Sequence, residues 1–198
     1  MTSRVLTNFG LAAALAAAIA IPSATADSLR GTGGTGVPAN LYTKAMSCPA
    51  ADIVRDAASA LSSAAQRNSA PAFASVLTRY ADVGAIAMFA LGKYGSKLPA
   101  GRQSEYVANT QRYISQVLME KSGPFKNSPH LTIETCDGNL VGTSLDGRSK
   151  MQWRLSGARI RDVSVSGVWL AIQLRTTFTD IIRRNRGDIS ALLDFLSA

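Results

Sequence analysis

The side chains in this chain that could carry out chemistry are few and scattered. His130 is the single histidine. It follows Pro129 and precedes a strand-like segment, a setting that suits a loop or packing role. Cys48 and Cys136 are the only thiols. Two thiols and one imidazole make no convincing zinc site, which needs three or four well-placed ligands. No Gly-x-Ser-x-Gly elbow occurs, and no histidine stands beside a serine or cysteine in a nucleophile–base arrangement. Glu105, Glu120 and Glu134 are dispersed and give no sign of a carboxylate pair. The run Gly31-Thr-Gly-Gly-Thr-Gly36 matches a dinucleotide fingerprint in its letters. That fingerprint works only between a strand and the helix it opens. Neither flanks it here, so it reads as flexible leader. The chemistry on offer therefore points away from an enzyme and toward binding, with no metal and no cofactor expected.

The N-terminus reads as an export signal. Arg4 is followed by an apolar, alanine-rich run over residues 9–21, then Pro22 and Ala24-Thr-Ala26. A charged start, a short apolar segment and a small-x-small exit describe a secretory signal cleaved after Ala26. The apolar run falls well short of the ~20 residues that span a bilayer. The reading is a signal over 1–26, a flexible Gly/Thr/Ala-rich leader over 27–50, and one domain over 51–198. Formal net charge is +8, and the signal removes only Arg4. A basic exported protein can favour anionic membrane surfaces or an acidic partner, and the same charge also serves solubility. Nucleic acid does not fit the compartment. Cys48 and Cys136 lie 88 residues apart. An oxidising compartment permits a bridge, which chain entropy would value at up to about 4–5 kcal/mol. Spacing alone does not show that the two meet.

Stepping from groups to elements, apolar spacing predicts a helix over 52–67, with Ile53, Ala57, Ala60, Leu61 and Ala64 on one face. Pro71 suits the first turn of a second helix, and Asp82 can cap a third. A fourth runs from about Arg102 to Lys121 and stops at Gly123-Pro124. The period then changes. Leu131, Ile133 and Thr135 alternate with polar residues, as do Met151, Trp153 and Leu155, and then Val163 and Val165. These predict half-buried antiparallel strands. Asp137-Gly-Asn139 and Asp146-Gly147 are hairpin-type turns, with a further strand over 141–145 between them. Gly167 ends the alternation, and Leu170, Leu174, Phe178, Ile181 and Ile182 return to helical spacing, ending at Gly187. Asp188 then caps a short terminal helix. Helices, a sheet, then helices define an α+β domain.

Three blocks of residues resemble the MlaC family, the periplasmic phospholipid-binding proteins also called toluene-tolerance or auxiliary transport proteins. One block runs from Tyr80 through Leu91-Gly92 to Tyr94. A second runs from Leu98 through Arg102, Glu105 and Tyr106 to Tyr113 and Leu118. The third links Trp153 to Asp162-Val-Ser-Val-Ser-Gly-Val168, and then Arg175, Phe178, Ile182 and Gly187. Ser166 stands where the family usually has an acidic residue, and Trp169 where it has a small polar one. The resemblance implies a cystatin-like or nuclear-transport-factor-like fold, with a curved antiparallel sheet and helices enclosing a deep apolar pocket. It also implies a periplasmic phospholipid shuttle between an outer-membrane lipoprotein complex and an inner-membrane ABC transporter, acting as a monomer and maintaining outer-membrane lipid asymmetry. Some relatives are tied to hopanoids, and a non-lipid envelope adaptor or an exported enzyme on the same fold stays open.

A lipid carrier must hide hydrocarbon, so its site needs aliphatic and aromatic walls. The candidates for lipid contact are Phe89, Tyr94, Tyr106, Tyr113, Val117, Trp153, Val163, Val165, Leu170 and Phe178. Each could equally be ordinary core. Trp153 and the tyrosines suit a pocket mouth, because their rings are amphipathic. Arg183, Arg184 and Arg186 end the last long helix. They either complement its dipole or contact a headgroup or an acidic partner.

Overall fold

The computed structural model describes residues 48–127, 131–147 and 149–198, without the side chains of Pro124 and Asn127. The expected signal, most of the expected leader with its glycine motif, and His130 lie outside the described residues.

Helix α1 (Pro49–Arg67) starts a turn earlier than the apolar spacing predicts, inside the expected leader. Pro49 sits in its first turn, and the Cys48 Sγ accepts the N–H of Ala51 as a cap. Helix α2 (Ala70–Tyr80) follows after Asn68, which stops α1 in a left-handed conformation. Helix α3 (Val83–Leu91) is capped by the Asp82 carboxylate, which accepts the N–H of Ala85 at 3.0 Å. Two 3₁₀ turns, Gly92–Lys97 and Ala100–Arg102, lead into α4 (Gln103–Glu120). Gly123-Pro124, expected only as a stop, opens a short helix α5 (Gly123–Asn127). Proline tolerates a first helical turn because its missing N–H is unpaired there anyway.

The sheet is antiparallel and pairs its strands in chain order: β1 (Leu131–Asp137), β2 (Leu140–Leu145), β3 (Ser149–Ser156), β4 (Arg159–Val165) and the short β5 (Val168–Trp169). The register puts Trp153 opposite Val163 and Met151 opposite Val165, so these four share one face. Pairing skips Arg161 between Asp162 and Ile160. That bulge keeps Ile160 in the core and frees Arg161 to pair with Asp82 at 3.1 Å. Ser166 and Gly167 both have positive φ, 51° and 84°, and make the hairpin that returns the chain as β5.

Helix α6 (Leu170–Arg184) leaves β5 directly, and α7 (Ser190–Ser197) closes the domain. Between them Arg186 and Gly187 take positive φ, and the Gly187 N–H donates to the Ile182 carbonyl at 2.8 Å. Asp188 accepts the N–H of Ser190. No helix among the described residues is long and apolar enough to cross a membrane.

The apolar residues gather in two clusters. The first joins α1 and α2 to the sheet around Val54, Phe73, Val141 and Trp153. The second joins α3, α4, α6 and α7 around Leu91, Tyr106, Phe178 and Leu192. A bond between Cys48 and Cys136 ties the start of α1 to the edge strand β1, with the Cα atoms 6.5 Å apart.

Candidate functional site

A cavity of about 310 Å³ lies where α1, α2, α4 and α6 face the sheet. That volume sits at the small end of the ~300–1,000 Å³ range of ligand pockets, and it dwarfs the ~10–15 Å³ a single water needs by the same measure. The floor is buried and apolar. It is made by Ala57 and Leu61 of α1, Val76 of α2, and Leu145, Met151, Trp153 and Ile160 of the sheet. Helical spacing turns the first three inward, and strand alternation does the same for Met151 and Trp153. The open side is marked by half-buried walls: Ile114, Val117 and Leu118 on α4, and Leu170, Gln173, Leu174 and Thr177 on α6. At one end the two helices meet through Tyr113 and Phe178, whose ring centroids are 5.7 Å apart. Beyond that contact both helices contribute to the cavity wall.

Charge is sparse in this wall. Asp162 is 8% exposed and lines the cavity from β4. Its Oδ1 accepts the N–H of Val163 and the N–H of Ala171 in the first turn of α6, both at 2.9 Å. A carboxylate bonded to the N-terminal turn of a helix fixes where that helix starts, so Asp162 positions the α6 wall. Burial nonetheless holds its carboxyl above the ordinary value, against the opposing pull of those two N–H groups and of Arg154. Lys121, exposed at the C-terminal end of α4, is the one basic side chain lining the cavity among the described residues.

The residues singled out from sequence divide cleanly. Tyr113, Val117, Trp153, Val163, Val165 and Leu170 line the cavity. Trp153 does so from the floor and not the mouth. It is 1% exposed, and its Nε1 donates to the Thr143 hydroxyl at 2.9 Å. Tyr106 and Phe178 are fully buried in the second cluster, set edge to face with centroids 6.5 Å apart. The Tyr106 hydroxyl donates to the Ala87 carbonyl at 2.8 Å, and burial pushes its ionisation upward. Tyr94 packs in the same cluster, beneath the ammonium groups of Lys93 and Lys97. Phe89 points to solvent, 45% exposed. Arg183, Arg184 and Arg186 lie beyond Thr177, the last cavity residue of α6, and none lines the cavity. Arg183 pairs with Asp180 at 3.1 Å and Arg184 reaches it at 4.0 Å. Sequence reasoning missed Leu61, Val76, Met151 and Lys121. Met151 carried the signal, since it shares the alternation of Trp153.

Fold and cavity together define an α+β binding protein with an apolar hollow open on one side. The chain belongs to the MlaC family: the sequence model of the family described as MlaC protein matches residues 50–198. Among solved structures, the chain is similar to a phospholipid-binding protein from Ralstonia solanacearum, determined in complex with a phospholipid. The two share 16% identity with a TM-score of 0.58, over 75% of this chain and 94% of that one. At that identity the likeness establishes the fold. A comparison with curated protein sequences found no match.

Proposed function

We propose that this protein is a phospholipid carrier, exported to the periplasm by a cleaved signal over residues 1–26. In that role it is the soluble lipid-binding component of an Mla-type transport system. It would pass lipid between an outer-membrane lipoprotein complex and an inner-membrane ABC transporter and so help maintain outer-membrane lipid asymmetry. The observation that carries the reading is the cavity: about 310 Å³, walled mainly by aliphatic and aromatic side chains, half-buried where α4 and α6 line it. Family membership and the phospholipid held by the Ralstonia relative support it.

The physical demand is large. A diacyl lipid has about 30 methylenes, and at ~0.8 kcal/mol each their exposure costs on the order of 20 kcal/mol or more. A carrier must screen most of that surface. Its grip on lipid need only rival that of a bilayer, so that loading and unloading both remain possible. Apolar walls without a strong polar anchor meet that condition. Solvent extraction and mass spectrometry of the purified exported protein test the reading. A stoichiometric phospholipid is expected. Protein that carries none, and that takes up no labelled lipid from vesicles once delipidated, would falsify it.

A further inference from the structure

Two exposed apolar side chains stand beside the cavity. Phe89 on α3 is 45% exposed and Ile172 on α6 is 49% exposed. Both helices border the hollow. Ile86, one turn before Phe89, lines it, and so do Leu170 and Gln173 on either side of Ile172. Arg175, one turn beyond Ile172, reaches from α6 to α3. Its guanidinium carbon sits 5.1 Å from the Phe89 ring centroid. Arg175 also fills the space over Gly92, where a Cβ would come within 2.7 Å of its Nε. The 3₁₀ turn that follows carries Lys93 and Lys97, whose ammonium groups lie over the Tyr94 ring, and Lys97 also donates to the Gly187 carbonyl at 2.9 Å. The carboxylate at the start of α3, Asp82, is already engaged by Arg161, and Asp180 of α6 by Arg183. Two exposed apolar side chains on helices that border the cavity thus stand with Arg175 over one of them and the exposed Lys93 on the turn that follows.

We propose that this patch is a docking surface for a lipid bilayer bearing anionic headgroups. Exposed aromatic and aliphatic groups rimmed by Lys and Arg suit the boundary between headgroups and acyl chains. The cations complement a negative membrane surface. The apolar part amounts to two side chains, far short of the ~800 Å² that each partner gives to a stable protein interface. Shallow insertion needs no more than that. The patch is continuous with the cavity wall, so docking brings the hollow up to the lipids and shortens the path of hydrocarbon through water. Attachment by so few groups is weak and reversible, as a shuttle requires. The purpose of the patch rests on the carrier reading; its attachment to membranes does not.

Flotation of the full exported protein with protein-free vesicles tests it, using phosphatidylcholine alone and phosphatidylcholine mixed with phosphatidylglycerol. Bound lipid is extracted and weighed from the same samples. The wild type should float with the mixed vesicles and detach at high salt. Phe89→Ser with Ile172→Ser should lower binding by about tenfold or more. Arg175→Gln and Lys93→Gln should each lower it about fivefold, on the mixed vesicles only. All variants should keep their cargo. A protein that floats in this patch-dependent way yet holds no lipid supports the docking surface and counts against the carrier. Two flotation results overturn the proposal: no flotation of the wild type, or unchanged flotation of the Phe89→Ser, Ile172→Ser protein. A dimer that the same double change dissolves also overturns it, by giving the patch to a second copy.

Discussion

The half of the molecule built from α3, α4, α6 and α7 is filled, while the half between α1, α2, α4, α6 and the sheet keeps a hollow. The contrast lies in side-chain size at the points of contact. In the filled half Tyr106, Tyr113, Phe178 and Phe195 form a chain of edge-on and tilted rings, with centroids 5.6–6.5 Å apart. Rings of that bulk occupy the space between four helices. In the other half α1 turns alanines toward the interior, Ala57 among them at the cavity wall. Across the gap the sheet presents Val163 and Val165 beside the larger Met151 and Trp153. α4 and α6 serve both halves, and the same helix is solid at Tyr106 and open at Val117, about three turns on.

Each of the following substitutions sharpens or breaks that contrast. Val165→Glu should abolish lipid uptake from labelled vesicles, because an unpaired carboxylate in an apolar wall is costly to bury. Uptake at the wild-type level, with the fold intact by circular dichroism, would remove Val165 from the site. Leu192→Ala, in the filled half, should cost about 3 kcal/mol in urea unfolding, since it makes a new void. Val117→Ala only widens an existing one and should cost about 1 kcal/mol or less. Equal losses would mean that the two halves are packed alike.

Adding volume should have the opposite pattern. Ala87→Leu overfills a site with no exposure, beneath the Tyr106 hydroxyl, and should destabilise by ~1–3 kcal/mol. Ala57→Leu grows into the hollow. It should leave the melting temperature unchanged or higher and reduce lipid uptake.

The smallest effect is expected at Asp162. Burial raises its folded pKa above the unfolded value, so the folded chain holds the proton more readily. The contribution of this group to stability is therefore fullest in acid and fades as pH rises through the raised value. Asp162→Asn keeps an oxygen for the Ala171 N–H and removes the charge. Its stability relative to wild type should improve on going from acid to neutral pH. Urea midpoints that move the other way would show that the two hydrogen bonds outweigh burial.

The elements were legible in sequence because each depended on local chemistry. Asp82, Pro71 and Gly187 act within one turn of where they stand, and the alternation from Met151 to Leu155 is a property of the strand itself. The early start of α1 was hidden by the low polarity contrast of Ala50 and Ala51. The helix at Gly123 was hidden because proline marks both the end of one helix and the beginning of another. The site was legible only by half. Tyr106 and Tyr113 sit two turns apart on one helix with the same apolar signature, yet one is sealed in a solid core and the other reaches the hollow. Periodicity reports which face turns inward. It carries nothing about whether a partner across the gap is long enough to fill it. Phe89 misled for the same reason, since its spacing is that of a core residue although it faces solvent.

The sheet has one further consequence, for how the chain assembles. Every strand is hydrogen-bonded to its neighbour in sequence, from β1 through β5. Successive hairpins can therefore zip together with little loop entropy to overcome, and α6 follows β5 without a linker. Helices α1 and α2, made early in the chain, pack back across that meander. Without those two helices, part of the apolar face that holds Met151 and Trp153 would lose its cover and could stick to another chain.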